Sequence, residues 1–314
     1  MNRNDLFVNS GNGMVFHQQK SWSESFEIFG MSLNYKQIGN FAIVLGSPWN
    51  VSGEFITNFE QFCNKSKLIP VFCGINSISK NFFDKRNYQI LKLGDEAIID
   101  LPSMDLKGRQ WRSSRSALNR AKKNKLTFQW VKSNKRNAII NEICKISDEW
   151  LQKRSLPELG FVMGTFQDAR KSDLLAIARE SDGTICGFAT WNPIPGSQGW
   201  MLDLMRSKDN VMNGLNDFLL TKSLLFFQKS GCSIASLGGV PLSNWNSENQ
   251  GITRKFMDII FEYCNIVYPF KRLWNFKEKF NPHWQPMYLA IGSKGSKILP
   301  LLAVFRACIL PKSN

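Results

Sequence analysis

The sequence predicts an α/β fold with mixed sheets, built as two similar units packed together, and three observations carry that expectation. Short stretches that alternate apolar and polar residues are interleaved with stretches of helical spacing. The strand–helix order of the first part returns beyond residue 125, without a visible sequence repeat. Apolar residues make up 43% of the 314, with 24 Phe and 10 Trp, enough for a large core. Such a length suits one large domain or two of about 150 residues.

In chain order, residues 14–48 read as consecutive strands split by turns: MVFHQQ, FEIFGMSLNYKQIG and NFAIVLGSP. Phe55, Phe59 and Phe62 give residues 52–66 a helical apolar stripe, and KLIPVFCGI reads as a buried strand. Residues 78–100 are expected to hold a short helix and two strands, YQILKLG and EAIIDL. AIINEICKISDEWLQKR is an amphipathic helix. LLAIARES and TICGFATWNPI flank the turn Asp182-Gly183 as a hairpin, and the strand GWMLDLMR follows. A helix from Asn213 to Lys229, the strand SIASLGGVPL, the helix FMDIIFEYCNIV and the closing KEKFNPHWQPMYLAI complete the second unit. The apolar run 298–310 holds Pro300 and Arg306 and is too short to span a bilayer. It is expected as a core helix, with an interfacial segment flanked by Lys294, Lys297 and Lys312 as the alternative.

The net charge of +15 points to a polyanionic partner, either nucleic acid or an anionic membrane surface. Seven Cys form no C-x-x-C pair, and the histidines are His17 and His283 alone. A zinc cluster and a disulfide framework are therefore not expected, and the thiols fit a reducing cytosol. The N-terminus lacks the apolar core of a signal peptide, and no run of about 18 apolar residues occurs. A cytoplasmic protein is the expectation, with a peripheral place at the inner face of the membrane as the alternative.

Residues 107–136 carry eleven Lys and Arg and no Asp or Glu. Gly108 to Lys123 is expected to be helical, which puts Arg109, Arg112, Ser116, Asn119 and Lys123 on roughly one face. Eleven cations without counter-charge favour a phosphate-tracking surface over a merely solvated face. Trp111 and Trp130 are expected in the core, with stacking on bases as the alternative.

The element order of the second unit is that of acyltransferases of the acetyltransferase type. Those folds seat the coenzyme A pyrophosphate on a Q/R-x-x-G-x-G/A turn at a helix N-terminus, where free N–H groups and the helix dipole receive the anion. Here the corresponding stretch is SKDNVMNGLN, with a single Gly. Coenzyme A is therefore disfavoured.

Several blocks, in order, resemble the phosphatidylglycerol lysyltransferase family. Leu202–Arg206, LDLMR, resembles its D-L-M-R signature. LKLGDEAIIDL resembles G-x-x-A-x-x-D-L, and LKGRQWRSSRSALNRAKK resembles L-K-G-x-x-x-x-x-R-x-x-x-N-R. ISDEWL with ELGFVMGTF, then LGGVPLSN, then FKEKFNPHWQPMYLA resemble three further family blocks. Together they cover residues 90–290. Two departures stand beside them. Gly46-Ser47-Pro48-Trp49-Asn50 replaces the family's G-D-P-V-G, and the membrane-embedded part of many members has no counterpart in these 314 residues. A stand-alone member or a detached catalytic portion is expected.

The resemblance implies two tandem acetyltransferase-like (GNAT-type) modules. The first, 1–125, would end in the basic helix, and the second, 126–314, would be catalytic. It implies transfer of an aminoacyl group from aminoacyl-tRNA to the hydroxyl of an anionic, phosphatidylglycerol-like phospholipid. It also implies roles for Asp203, Arg206 and a lysine of K-E-K-F, Lys277 or Lys279. An aminoacyl ester is already activated, so no metal or other cofactor is expected. Asp203 suits assistance to the acceptor hydroxyl or a grip on the α-ammonium group. Arg206 suits a phosphate, and a lysine suits the tetrahedral oxyanion. On a regular strand Asp203 and Arg206 face opposite sides, so they converge only beyond the strand end or across a bulge. Glu158 and Asp148 are candidates to recognise the aminoacyl ammonium, with helix capping or solvated charge as the alternative. Asn244, to orient the acceptor, and Gly238 are candidates for substrate binding, with turn chemistry around Gly238 and Gly239 as the alternative. Arg112, Arg115, Arg120, Lys122 and Lys123 are the expected tRNA contacts. His283 has no visible acid partner and is not expected to be a base. Transfer to a small soluble amine or alcohol is the alternative activity, and a non-catalytic tRNA-binding module comes after it.

Overall fold

The computed structural model describes residues 24–48, 52–153, 174–244, 270–292 and 295–309. Its strands are β1 (Glu24–Ile28), β2 (Met31–Ile38), β3 (Phe41–Leu45), β4 (Ile69–Ile75), β5 (Gln89–Asp100), β6 (Thr127–Trp130), β7 (Leu174–Arg179), β8 (Ile185–Pro193), β9 (Gly199–Ser207), β10 (Ile234–Pro241) and β11 (His283–Ile291). They join in one mixed sheet, ordered β1-β2-β3-β4-β11-β5-β10-β9-β8-β7-β6. The helices are α1 (Gly53–Lys65), α2 (Ser77–Lys85), α3 (Arg112–Lys123), α4 (Arg136–Gln152), α5 (Leu215–Lys229), α6 (Phe270–Glu278) and α7 (Ile298–Ile309). Local chemistry sets several of the starts. Ser52 Oγ accepts from the Phe55 N–H at 3.1 Å, and Asn76 Oδ1 accepts from the Ser79 N–H at 2.9 Å, so α1 and α2 both begin on side-chain caps.

Strand β11 runs without an extra residue, so alternation along it sorts the helices by face. Trp284 joins the cluster under α5 and α6, while Tyr288 and Ala290 join the one under α1 and α2. Leu289 and Ile291 point the other way, into the cluster under α7. Helix α4 covers the face of β7–β9 that carries Ile177, Phe188 and Leu204, and α3 packs with α5 on the opposite side. One face therefore carries α1, α2, α3, α5 and α6, and the other carries α4 and α7. Trp111 and Trp130 lie in the core, as expected.

The mixed α/β architecture is the one expected, with differences of detail. Strand β11 enters between β4 and β5, and α7 packs on β2 and β3, so the chain's end completes the half begun by residues 24–100. YQILKLG and EAIIDL form a single twelve-residue strand, β5. Gly94 permits this. At φ +156° an added Cβ would stand 2.3 Å from the Val240 carbonyl oxygen, so the backbones approach only because the side chain is missing. Helix α3 begins at Arg112 rather than Gly108, because residues 108–111 form a turn. The expected strand MVFHQQ and helix FMDIIFEYCNIV lie outside the described residues.

Candidate functional site

The ladder between β9 and β10 is parallel and short. Gly199, Trp200 and Met201 pair with Ile234, Ala235 and Ser236, and pairing stops there although both strands run on. The two strands are unpaired beyond this point, a wedge in the ladder, and three expected residues follow it: Asp203 on β9, Gly238 on β10, and Lys277, whose Nζ reaches Gly238 from the end of α6.

On the β10 side, Leu237 and Gly238 form a bulge against β5, since Ser236 pairs with Ile98 and Gly239 with Glu96. Gly238 adopts φ +81°, which favours glycine. Lys277 is 5% exposed, and its Nζ donates to the Gly238 and Gly239 carbonyls at 2.9 Å each. Glu96 is buried nearby and accepts from Ser236 Oγ at 2.5 Å. Burial pushes the Lys277 ammonium down to about 7 and the Glu96 carboxyl up, while the charge of each opposes the shift of the other. A neutral amine still has two N–H groups, enough for both carbonyls, and the ammonium has a third.

Across the wedge, β9 carries the other irregularity. Leu202 pairs with Trp191 and Met205 with Ala189, so Thr190 stands opposite both Asp203 and Leu204. The Leu204 N–H donates to Thr190 Oγ1 at 3.0 Å. This extra residue changes the alternation. Leu202 and Met205 both face the α5 side, while Asp203 and Arg206 share the α4 side. Of the two expected routes to one side, a position beyond the strand end or a bulge, β9 has the bulge, with Arg206 still inside the strand. Arg206 is 1% exposed, its Nη1 donates to Ser147 Oγ on α4, and its guanidinium lies 4.9 Å from the Trp150 ring centre.

The other expected residues fall elsewhere. Lys279 turns to the surface and pairs with Asp217 on α5 at 3.1 Å, away from the Gly238 carbonyls that hold Lys277. Asn244 donates to Asp95 Oδ2 at 2.8 Å, and Asp95 in turn pairs with Lys92 at 3.0 Å, so the turn after β10 is tied to β5. Asp148 is exposed on α4, next to the inward-facing Ser147. Glu158 lies outside the described residues. Ser147, Glu96 and Ser236 were missed by sequence reasoning. Ser147 precedes the Asp of S-D-E-W-L and had a signal in that block, whereas the strand pairing alone brings Glu96 to Ser236.

The basic helix forms a second constellation. Arg112, Arg115, Ser116, Asn119, Arg120 and Lys123 line an open groove of about 370 Å³. Arg115 Nη1 also donates to the Leu106 carbonyl at 2.6 Å, which holds the turn leading into α3. Arg120 lies against the start of α5, where Gly214 has φ +91° and an added Cβ would stand 2.7 Å from Arg120 Nη2. Lys122 is exposed but does not line the groove.

Comparison with known proteins gives this geometry its family. The chain is 28% identical over 279 residues to phosphatidylglycerol lysyltransferase of Bacillus subtilis (strain 168), covering 87% of this chain and 32% of that protein. It is 26% identical over 292 residues to phosphatidylglycerol lysyltransferase of Staphylococcus xylosus, covering 89% and 33%. It thus spans about a third of the length of these curated relatives. The structure of L-PGS from Bacillus licheniformis superposes with a TM-score of 0.81 at 24% identity, covering 96% of this chain and 94% of that one, a likeness of fold. The sequence model described as "Phosphatidylglycerol lysyltransferase, C-terminal" matches residues 10–291, and the chain belongs to that family.

Proposed function

We propose that this chain transfers an aminoacyl group from aminoacyl-tRNA to the hydroxyl of an anionic, phosphatidylglycerol-like phospholipid. The observation that supports the reading is the end of β9–β10 pairing, beyond which Asp203 stands on one strand and Gly238, held by Lys277, on the other. Names of relatives three times as long support the same chemistry. The aminoacyl ester enters the wedge with its carbonyl toward Lys277. The lipid hydroxyl attacks that carbonyl carbon, and Asp203 takes the hydroxyl proton. The third N–H of the protonated lysine faces the oxyanion. Collapse expels the tRNA 3′-terminal ribose oxygen, which takes the proton back from Asp203 and restores its carboxylate. Arg206 acts as a positioning residue, because its guanidinium ties the bulged strand to Ser147 and Trp150 on α4. The α3 groove receives tRNA phosphates. Lys279 is assigned no chemical step. The tandem-module reading is retained in exchanged form, with β11 and α7 belonging to the first module.

Labelled aminoacyl-tRNAs incubated with the protein and phosphatidylglycerol vesicles provide the test. Label is expected in the extracted lipid. Label confined to a water-soluble product would replace the lipid with a small soluble acceptor, and no transfer of any amino acid would overturn the reading.

A further inference from the structure

Helix α7 presents two chemically different stripes. Leu301, Val304 and Ala307 are buried on β2, β3 and β4 in a cluster with Ile43, Val71 and Leu289. Leu299, Leu302 and Arg306 recur at i, i+3 and i+7 on the outer stripe. Leu299 is 60% exposed and Leu302 43%. The other exposed large apolar side chains, Phe29, Ile78 and Phe226, fall singly on separate elements, so among the described residues α7 alone carries two. Single exposed apolar residues are ordinary; a pair on one stripe beside a cation is less so.

The sequence flanking this stripe carries charge of one sign. Residues 292–314 contain Lys294, Lys297, Arg306 and Lys312 and no Asp or Glu. Exposed leucines combined with cations and no anion match an anionic lipid surface, where apolar insertion and headgroup attraction add together. A helix of twelve residues is about 18 Å long, too short to cross a bilayer and suited to lying along its surface.

The placement of α7 links this stripe to the candidate site. Helices α7 and α4 share a face of the sheet, the face to which Asp203 and Arg206 also belong. Leu242 packs against the cluster under α7, two residues from Asn244 in the turn tied to Asp95. Lys36 Nζ donates to the Ala307 carbonyl at 3.2 Å, which fixes the end of the helix to β2.

We infer that α7 is a bilayer-docking helix whose Leu299–Leu302–Arg306 stripe seats the protein on an anionic membrane surface. The inference rests on the proposed function in one respect, that the acceptor resides in that membrane.

Co-sedimentation of the full chain with vesicles tests it. Equimolar phosphatidylglycerol and phosphatidylcholine are compared with phosphatidylcholine alone. The wild-type protein is expected to sediment with the mixed vesicles and far less with the neutral ones. The double variant L299E/L302E is expected to lower partitioning at least about tenfold, since it removes two apolar anchors and adds two repelled charges. Both positions are exposed, so its melting temperature and its tRNA affinity should stay as in the wild type. Transfer to a short-chain phosphatidylglycerol dispersed in detergent should also be retained while transfer to vesicles falls. Unchanged vesicle binding by the variant would overturn the proposal. So would a wild-type dimer that the variant dissolves without altering vesicle binding, because the stripe would then be a contact between copies. Vesicle binding that depends on the stripe, without transfer to any lipid, would support the docking helix and overturn the proposed reaction, so the two failures differ.

Discussion

The molecule handles cations in two contrasting ways. Along α3, Arg112, Arg120 and Lys123 line an open groove, where each charge remains in water and adds to a shared field. At the β9–β10 wedge, Arg206 and Lys277 are enclosed, and the partners described for them include a hydroxyl, an aromatic ring and two backbone carbonyls. An exposed cation is screened by salt, and its loss costs little stability. An enclosed one gives up hydration and is kept by geometry, so its loss exposes every group it had satisfied. Residue type is therefore a poor guide to role here. Lys277 and Lys279 are two residues apart and belong to different environments.

The sharpest way to break this contrast is Lys277→Ala. The variant leaves the Gly238 and Gly239 carbonyls without their donor beside the buried Glu96, with an expected loss of about 3 kcal/mol in urea unfolding. An effect below about 0.5 kcal/mol would make Lys277 equivalent to a surface lysine. The deficit should also depend on pH. The folded-state ammonium lies at about 7 and the ordinary value at 10.5, so between them the unfolded chain holds more protons. The stability contributed by this residue therefore rises as pH climbs through that window, and its burial is a penalty below it. Lys277→Ala removes the slope, so its deficit should be larger at pH 9 than at pH 6. The raised Glu96 carboxyl acts in the opposite sense, its contribution being lost as pH rises above the ordinary carboxylate range. Repeating the comparison in a Glu96→Gln background separates the two. A deficit independent of pH there would show that Lys277 stays charged throughout.

Arg206→Ala comes next. If the guanidinium holds the bulged strand against α4, transfer should fall about 100-fold, or 2.7 kcal/mol in the barrier. Arg206→Lys should recover little, because a single ammonium cannot both donate to Ser147 and present a planar guanidinium to the Trp150 ring. Ser147→Ala, which removes one hydroxyl, should cost about tenfold. The readout is kcat against KM for the tRNA substrate. A positioning role lowers kcat with little change in KM, and a rise in KM alone would move Arg206 to substrate binding.

Much of the fold was legible because its signals are local. Alternation over residues 14–48 found β2 and β3, a buried apolar run found β4, the Phe55–Phe59–Phe62 stripe found α1, and Asp182-Gly183 found the β7–β8 turn. What stayed hidden depends on pairing between distant strands. No window of sequence shows that β11 enters between β4 and β5, because a C-terminal strand carries no mark of its neighbours. The merging of two expected strands into β5 turns on Gly94, which reads as a break until the Val240 backbone is seen against it. Within the site, the motif L-D-L-M-R named Asp203 and Arg206, and the period of two said that they converge only beyond the strand end or across a bulge. The bulge itself is written in Thr190, on the neighbouring strand. The lysines of K-E-K-F could not be separated in sequence, since burial is settled by what packs around α6.

The smallest expected effect lies on the exposed side of the contrast, in the α3 groove. Affinity for tRNA falls with salt because each neutralised phosphate releases counterions, at a slope of about 0.7 to 0.9 per phosphate in log–log form. Arg112→Gln with Lys123→Gln removes two groove-lining cations while leaving Arg115 on the Leu106 carbonyl and Arg120 on the start of α5. The salt slope should drop by about 1.4 to 1.8 if both side chains meet phosphates. Unfolding free energy should change by no more than about 0.5 kcal/mol, because neither change touches the core. A matched pair, Lys65→Gln with Lys85→Gln on α1 and α2, controls for total charge. If it flattens the slope equally, the eleven cations of 107–136 act only as part of the net charge of +15. If only the α3 pair does so, the groove is a contact surface, and exposed cations differ from one another by position as much as they differ from the buried ones.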